Sequence, residues 1–82
     1  MTIQVEIFSR SGCHLCEVAE GVIKEIQREI PFDLTITLID GDKDLIAKYG
    51  EEVPVTVING ERHDYYRVDR ERFRNAILRL RQ

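Results

Sequence analysis

The chain has 82 residues, 43% hydrophobic and 33% charged, with a formal net charge of −3. That length supports one modest hydrophobic core, so a single domain over residues 1–82 is expected, and the composition excludes disorder. No apolar run approaches the roughly 20 residues that span a bilayer. The start, Met1-Thr2-Ile3-Gln4-Val5-Glu6, lacks the basic and apolar regions of a secretory signal, so a cytoplasmic location without a membrane is expected.

Ile3-Gln4-Val5-Glu6-Ile7-Phe8 alternates and then turns apolar, which predicts a first strand. Ser9-Arg10-Ser11-Gly12 predicts a loop, with Gly12 permitting a close approach to the following helix. A helix is predicted from about His14 to Glu29. Its apolar positions Leu15, Val18, Ala19, Val22, Ile23, Ile26 and Ile30 have the spacing of a buried face. Cys16 falls at the edge of that stripe and Cys13 at the exposed tip. Pro31 ends the helix. Leu34-Thr35-Ile36-Thr37-Leu38-Ile39 is β-branched and alternating, a second strand. The right-handed crossover between the two strands predicts parallel pairing.

Asp40-Gly41-Asp42 turns the chain, and Asp42 is positioned to cap a short helix that runs through Tyr49. Gly50 is expected as its C′ stop. Val53-Pro54-Val55-Thr56-Val57-Ile58 predicts a third strand with Pro54 near its start. Asn59-Gly60 between strand patterns predicts a type I′ hairpin turn. A fourth strand follows from about Glu61 to Val68. Asp69 then caps a last helix with Phe73, Ala76, Ile77 and Leu80 on one face. The predicted order is βαβ, short helix, β-hairpin, helix.

The chemistry concentrates in Cys13-His14-Leu15-Cys16, which holds the only two cysteines of the chain. A C-x-x-C that opens a helix after a strand reads as a redox motif. The thiolate is the reactive form of cysteine, and a helix N-terminus stabilises it with free N–H groups and a positive dipole end. A second thiol one turn further on can attack the mixed disulfide that the first one forms. Zinc is the rival chemistry. A structural site needs four ligands, and only Cys13, Cys16, His14 and His63 are available, with His14 too close to Cys13 in sequence to join one tetrahedron easily. No metal and no cofactor is therefore expected.

The order of elements, the C-x-x-C and Val53-Pro54 together resemble the minimal thioredoxin fold, and most closely the small glutaredoxin-like proteins. The resemblance covers nearly the whole chain. It implies an α/β fold, βαβαββα, with a four-stranded mixed sheet of order 2-1-3-4 flanked by three helices. It implies that Cys13 is the nucleophile and Cys16 the resolving cysteine. It sets Arg10 where glutaredoxins often carry a lysine. Pro54 takes the place of the cis-proline that faces the cysteines. The backbone of Val53 matches the edge that hydrogen-bonds glutathione or a substrate peptide. The departures are His14-Leu15 in place of Pro-Tyr, Glu52-Val53-Pro54 in place of Thr-Val-Pro, and Tyr65-Tyr66-Arg67-Val68-Asp69 in place of Gly-Gly-x-Asp. The redox motif transfers; a preference for glutathione does not.

Other residues have plainer readings beside the functional ones. His14 either shapes contact with a partner or supports the thiolate. Arg10 either steers an anionic substrate or is a solvated loop cation. A carboxylate under a cysteine pair can take the resolving thiol's proton; Glu6 is weighed for this, and its alternation favours a partly exposed sheet face. His63 is expected at the surface, and of Tyr65 and Tyr66 one is expected to pack and the other to stay open. Residues 62–82 hold seven arginines against three acids, which reads as a solvated helix face and not as a nucleic-acid surface. The functional expectation is a thiol-disulfide oxidoreductase that reduces protein or small mixed disulfides and is reset by a reductase or glutathione. The alternative is a thioredoxin-fold interaction or redox-sensing module without turnover.

Overall fold

The computed structural model describes residues 2–81. It holds β1 (Gln4–Ser9), α1 (His14–Glu29), β2 (Asp33–Leu38), α2 (Lys43–Tyr49), β3 (Val55–Ile58), β4 (Glu61–Tyr65) and α3 (Arg70–Arg81). The four strands form one sheet in the order β2-β1-β3-β4. β1 pairs with β2 in parallel and with β3 antiparallel, and β3 pairs with β4 antiparallel. This is a minimal thioredoxin fold. No helix among the described residues is long and apolar enough to cross a membrane.

Alternation along β1 divides the core. Val5 and Ile7 join Ile23 and Ile26 of α1, Ile30 just past its end, and Phe73 and Ile77 of α3 on one face. Phe8 packs into a second cluster around Cys16, Ile39, Tyr49, Val53 and Val55. Its ring stacks on Tyr49 with centroids 4.4 Å apart. The second cluster lies against the cysteine pair, so the site is seated on core and not on loop alone.

The turn chemistry follows the sequence in most places. Asp42 caps α2 by accepting from the Asp44 and Leu45 N–H groups at 3.0 and 3.1 Å. Asp69 does the same for α3 through Arg72 N–H at 3.0 Å. Asn59 and Gly60 have φ of 49° and 84°, the two positive values a type I′ turn requires.

Several expectations are corrected. The buried stripe of α1 is Cys16, Ala19, Ile23, Ile26, so Cys16 is a core residue and not an edge residue. Leu15 and Val18, placed by periodicity on the buried face, are 50% and 52% exposed. The apolar set of α1 is wider than the sheet can cover, and the sheet takes the side that includes the cysteine. Leu80, expected on the inner face of α3, is 46% exposed, while Phe73 and Ile77 are fully buried. Gly50 is not a left-handed stop: its φ is −51°. A Cβ there would collide with the Ile46 carbonyl, so the position needs glycine for space. β4 ends at Tyr65 and not at Val68, because Tyr66, with φ 69°, turns the chain off the ladder.

His63 is the largest departure. β3 and β4 pair Thr56 with Asp64 but Val57 with Arg62, and the register shift between them leaves His63 as the extra residue of a bulge. The bulge turns its ring inward against Phe73, with centroids 5.9 Å apart. The imidazole is half-buried, and its Nε2 has no hydrogen-bond partner among the described residues. Burial is the main cause that lowers its pKa, with the Arg72 charge second.

The arginines of α3 meet acids of α1. Arg70 pairs with Glu25 at 2.8 Å and Arg74 pairs with Glu29, in each case an acid more than half exposed to water. Each arginine holds the carboxyl of its partner below the ordinary range, first through the hydrogen bond.

Candidate functional site

The ends of β1 and β2 build the platform. The two strands run in parallel, so Ser9-Arg10-Ser11-Gly12 and Ile39-Asp40 leave the sheet side by side. Ile39 N–H donates to the Ser9 carbonyl at 2.8 Å. Asp40 Oδ2 accepts from the Ser11 N–H at 2.9 Å and from the Ser11 hydroxyl at 3.2 Å. The Ser11 backbone bond is the chief cause that holds the Asp40 carboxyl below its usual range. Gly12, with φ 70°, then swings the chain into α1.

Cys13 is the N-cap of α1, in extended conformation with φ −92° and ψ 109°. Its Sγ accepts the Cys16 N–H at 3.2 Å, and its carbonyl accepts the Glu17 N–H at 3.1 Å. A free N–H of the first turn is thus aimed at the sulfur that would carry charge as a thiolate. Cys13 is half-buried, Cys16 is 2% exposed, and the two form a disulfide with Cα atoms 5.2 Å apart. The outer sulfur is reachable and the inner one is not.

Val53 shares the apolar cluster with both cysteines, and the Val53-Pro54 peptide bond is cis. Pro54 is fully buried. The Val53 N–H, however, already donates to the Tyr49 carbonyl at 3.1 Å. Of the two backbone groups that the family resemblance assigns to a substrate, the donor has an internal partner. The neighbouring Glu52 carbonyl is also taken, by the Tyr66 N–H at 3.0 Å.

The other expected residues divide. His14 is exposed in the first turn of α1, beside Cys13. Arg10 leans towards α2, donating to the Gly50 carbonyl at 3.3 Å and sharing a groove with Lys48, Glu51 and Glu52. Glu6 faces the side of the sheet opposite α1 and accepts from the Thr37 hydroxyl at 2.6 Å. Tyr65 and Tyr66 are both half-exposed, with ring centroids 5.8 Å apart, so neither packs as expected. Among the described residues no group of three or more His, Cys, Asp or Glu side chains could hold a metal ion.

Sequence reasoning missed three supports of the site. Asp40 was legible only as a turn residue, although parallel strands with neighbouring ends bring it to Ser11. Ser9, 1% exposed, donates to Glu20 Oε2 at 3.3 Å. Arg62 stands 5.8 Å from the Tyr49 ring and 5.6 Å from the Tyr65 ring and bonds Glu52 at 2.6 Å, bracing the segment before Pro54. No local signal identifies Arg62, because its partners come from three elements.

A thioredoxin fold with a cysteine pair at the N-terminus of α1, packed against a cis X-Pro segment, defines a class of small proteins equipped for thiol redox chemistry. Comparison with known proteins narrows the class. The model of the glutaredoxin-like domain family (DUF836) matches residues 4–78, and the chain belongs to that family. It is similar to an uncharacterized protein of Mycobacterium tuberculosis, 33% identical over 81 residues that cover 93% of this chain and 84% of the relative. Among solved structures it is similar to a protein of Nitrosomonas europaea, with a TM-score of 0.80, 26% identity and coverage of 93% and 92%. Fasciola hepatica thioredoxin shares the fold, with a TM-score of 0.68, 22% identity and coverage of 95% and 80%.

Proposed function

We propose that the protein is a dithiol–disulfide oxidoreductase that reduces protein or small mixed disulfides. The observation that carries this reading is the pairing of a half-buried Cys13 sulfur, which accepts a helix N–H, with a buried Cys16 in the same first turn. In the reduced protein the Cys13 thiolate attacks one sulfur of a substrate disulfide, and the other sulfur leaves as a thiolate. Cys16 then attacks Cys13 Sγ, closes the Cys13–Cys16 disulfide and releases the second substrate thiol. Two electrons pass from the cysteine pair to the substrate. A separate reductase or glutathione returns them. Val53 and Pro54 shape the apolar wall on which the substrate sulfur lies, and Arg10 and His14 border the approach.

The test uses the two single variants. Cys13→Ser is expected to lose all turnover of a disulfide substrate, because its hydroxyl is not a competent nucleophile at neutral pH. Cys16→Ser is expected to accumulate a stable mixed disulfide, visible by mass spectrometry. An adduct on the Cys13 variant in place of the Cys16 variant would reverse the roles. A second reading has its own observation: the exposed Leu15 and Val18 beside the pair suit a protein partner. A redox-sensing module would use that surface and show no turnover in the same assay.

A further inference from the structure

The dithiol reaction leaves the proton of Cys16 to be accounted for. Cys16 is 2% exposed, and apolar burial holds a thiol in its protonated form. Its attack needs an acceptor within reach of the sulfur, directly or through one water. The nearby carboxylates differ in what they can do. Glu6 faces away from α1 and is bonded to Thr37. Asp40 accepts two hydrogen bonds from Ser11. Glu17 follows Cys16 directly in the helix, so the two side chains point apart. Glu20 is different. It lies four residues after Cys16 on α1, a spacing that sets the two Cβ atoms roughly 5–6 Å apart on one face. Side chains on a helix lean towards its N-terminus, so Glu20 leans over the turn that carries Cys16.

Glu20 is also tied inward. It is half-buried, and the hydroxyl of Ser9, itself 1% exposed, donates to its Oε2 at 3.3 Å. That bond ties the carboxylate to the end of β1 through Oε2 and leaves Oε1 without a hydrogen-bond partner among the described residues. Lys24, one turn further along α1, and Glu17, one turn back, are the charged neighbours on its own helix; Ser9 of β1 is its polar neighbour from the sheet, while Arg10 turns away to the Gly50 carbonyl.

We propose that Glu20 is the proton acceptor for Cys16 in the resolving step and that Ser9 is the residue that positions it. The inference rests on the dithiol reading above. The Cys16 S–H bond breaks and its proton passes to a Glu20 carboxylate oxygen. The sulfur's electron pair forms the bond to Cys13 Sγ. The bond between Cys13 Sγ and the substrate sulfur breaks, and the substrate leaves as a thiolate, to which Glu20 or solvent returns the proton. The cysteine pair is oxidised and the substrate disulfide is reduced.

Stopped-flow absorbance with reduced protein and one equivalent of a neutral aromatic disulfide (dipyridyl disulfide) separates the steps. The first thiopyridone reports attack by Cys13 and the second reports attack by Cys16. Glu20→Gln is expected to slow the second phase by about a hundredfold, the lower end of general acid–base effects, and to leave the first within about twofold. Its second phase should then rise about tenfold per pH unit, as the proton passes to hydroxide. Glu20→Asp should recover part of the rate, and Ser9→Ala should slow the second phase less than Glu20→Gln does. An unchanged second phase in Glu20→Gln, or equal slowing of both phases, overturns the role of Glu20 while the dithiol reading stands. A wild-type protein that releases no first thiopyridone overturns the dithiol reading and this inference with it.

Discussion

Phe73→Ala is the substitution whose cost the structure specifies best. Phe73 is fully buried in α3 and supports two rings, Phe32 at 5.8 Å and His63 at 5.9 Å, both edge-on. Truncation of a buried Phe costs about 3–5 kcal/mol through lost transfer energy and the cavity left behind. Edge-to-face pairs add roughly 0.5–1.5 kcal/mol beyond burial, part of which the truncation cost already contains. A chain of 82 residues has a stability of roughly 4–12 kcal/mol at about 0.05–0.15 kcal/mol per residue. Phe73→Ala therefore removes at least a quarter of the stability and leaves a weak version of the protein partly unfolded at room temperature. Leu80 is the control. Periodicity places it on the same face of α3, but it is 46% exposed, and Leu80→Ala should cost under about 1 kcal/mol. Urea titration followed by far-UV circular dichroism measures both. A Phe73→Ala loss below about 1 kcal/mol, or a Leu80→Ala loss equal to it, would refute the assignment of the core.

Three further outcomes are expected. The lowered pKa of His63 means that the native state binds its proton less readily than the unfolded chain does. Stability should therefore fall as pH drops below about 6.5, the ordinary histidine value, and His63→Phe should flatten that fall in urea titrations at a series of pH values; an unaltered slope contradicts the burial of the ring. Gly60→Ala places a side chain at φ 84° and should cost roughly 1–2 kcal/mol, with no measurable loss speaking against the type I′ turn. Glutathione should serve poorly as reductant, because the Val53 N–H and the Glu52 carbonyl have internal partners and Tyr65-Tyr66 replaces the glycines of the usual clamp. Steady-state reduction of a mixed disulfide beside an authentic glutaredoxin tests this, and comparable rates would sink it.

Much of this architecture is local in origin and therefore visible in the sequence. Asp42 and Asp69 cap helices through their own next residues, Asn59-Gly60 makes its turn from two adjacent dihedrals, and Cys13 meets the Cys16 N–H within a single helical turn. The cysteine pair is legible in the same way, and the crossover predicts the parallel β1-β2 pair, whereas the full strand order 2-1-3-4 is implied only by the family resemblance. The tertiary structure decided the rest, wherever two segments compete for one surface. α1 carries more apolar residues than the sheet covers, so only packing selects Cys16 for the core and leaves Leu15 and Val18 in water. A bulge cannot be read from one strand alone, because it is a mismatch of two, and it is what turns His63 inward. The links Ser9–Glu20, Ser11–Asp40 and Arg62–Glu52 join residues 10 to 29 positions apart. Such contacts depend on where the sheet brings its strand ends, and no periodicity of a single element encodes them.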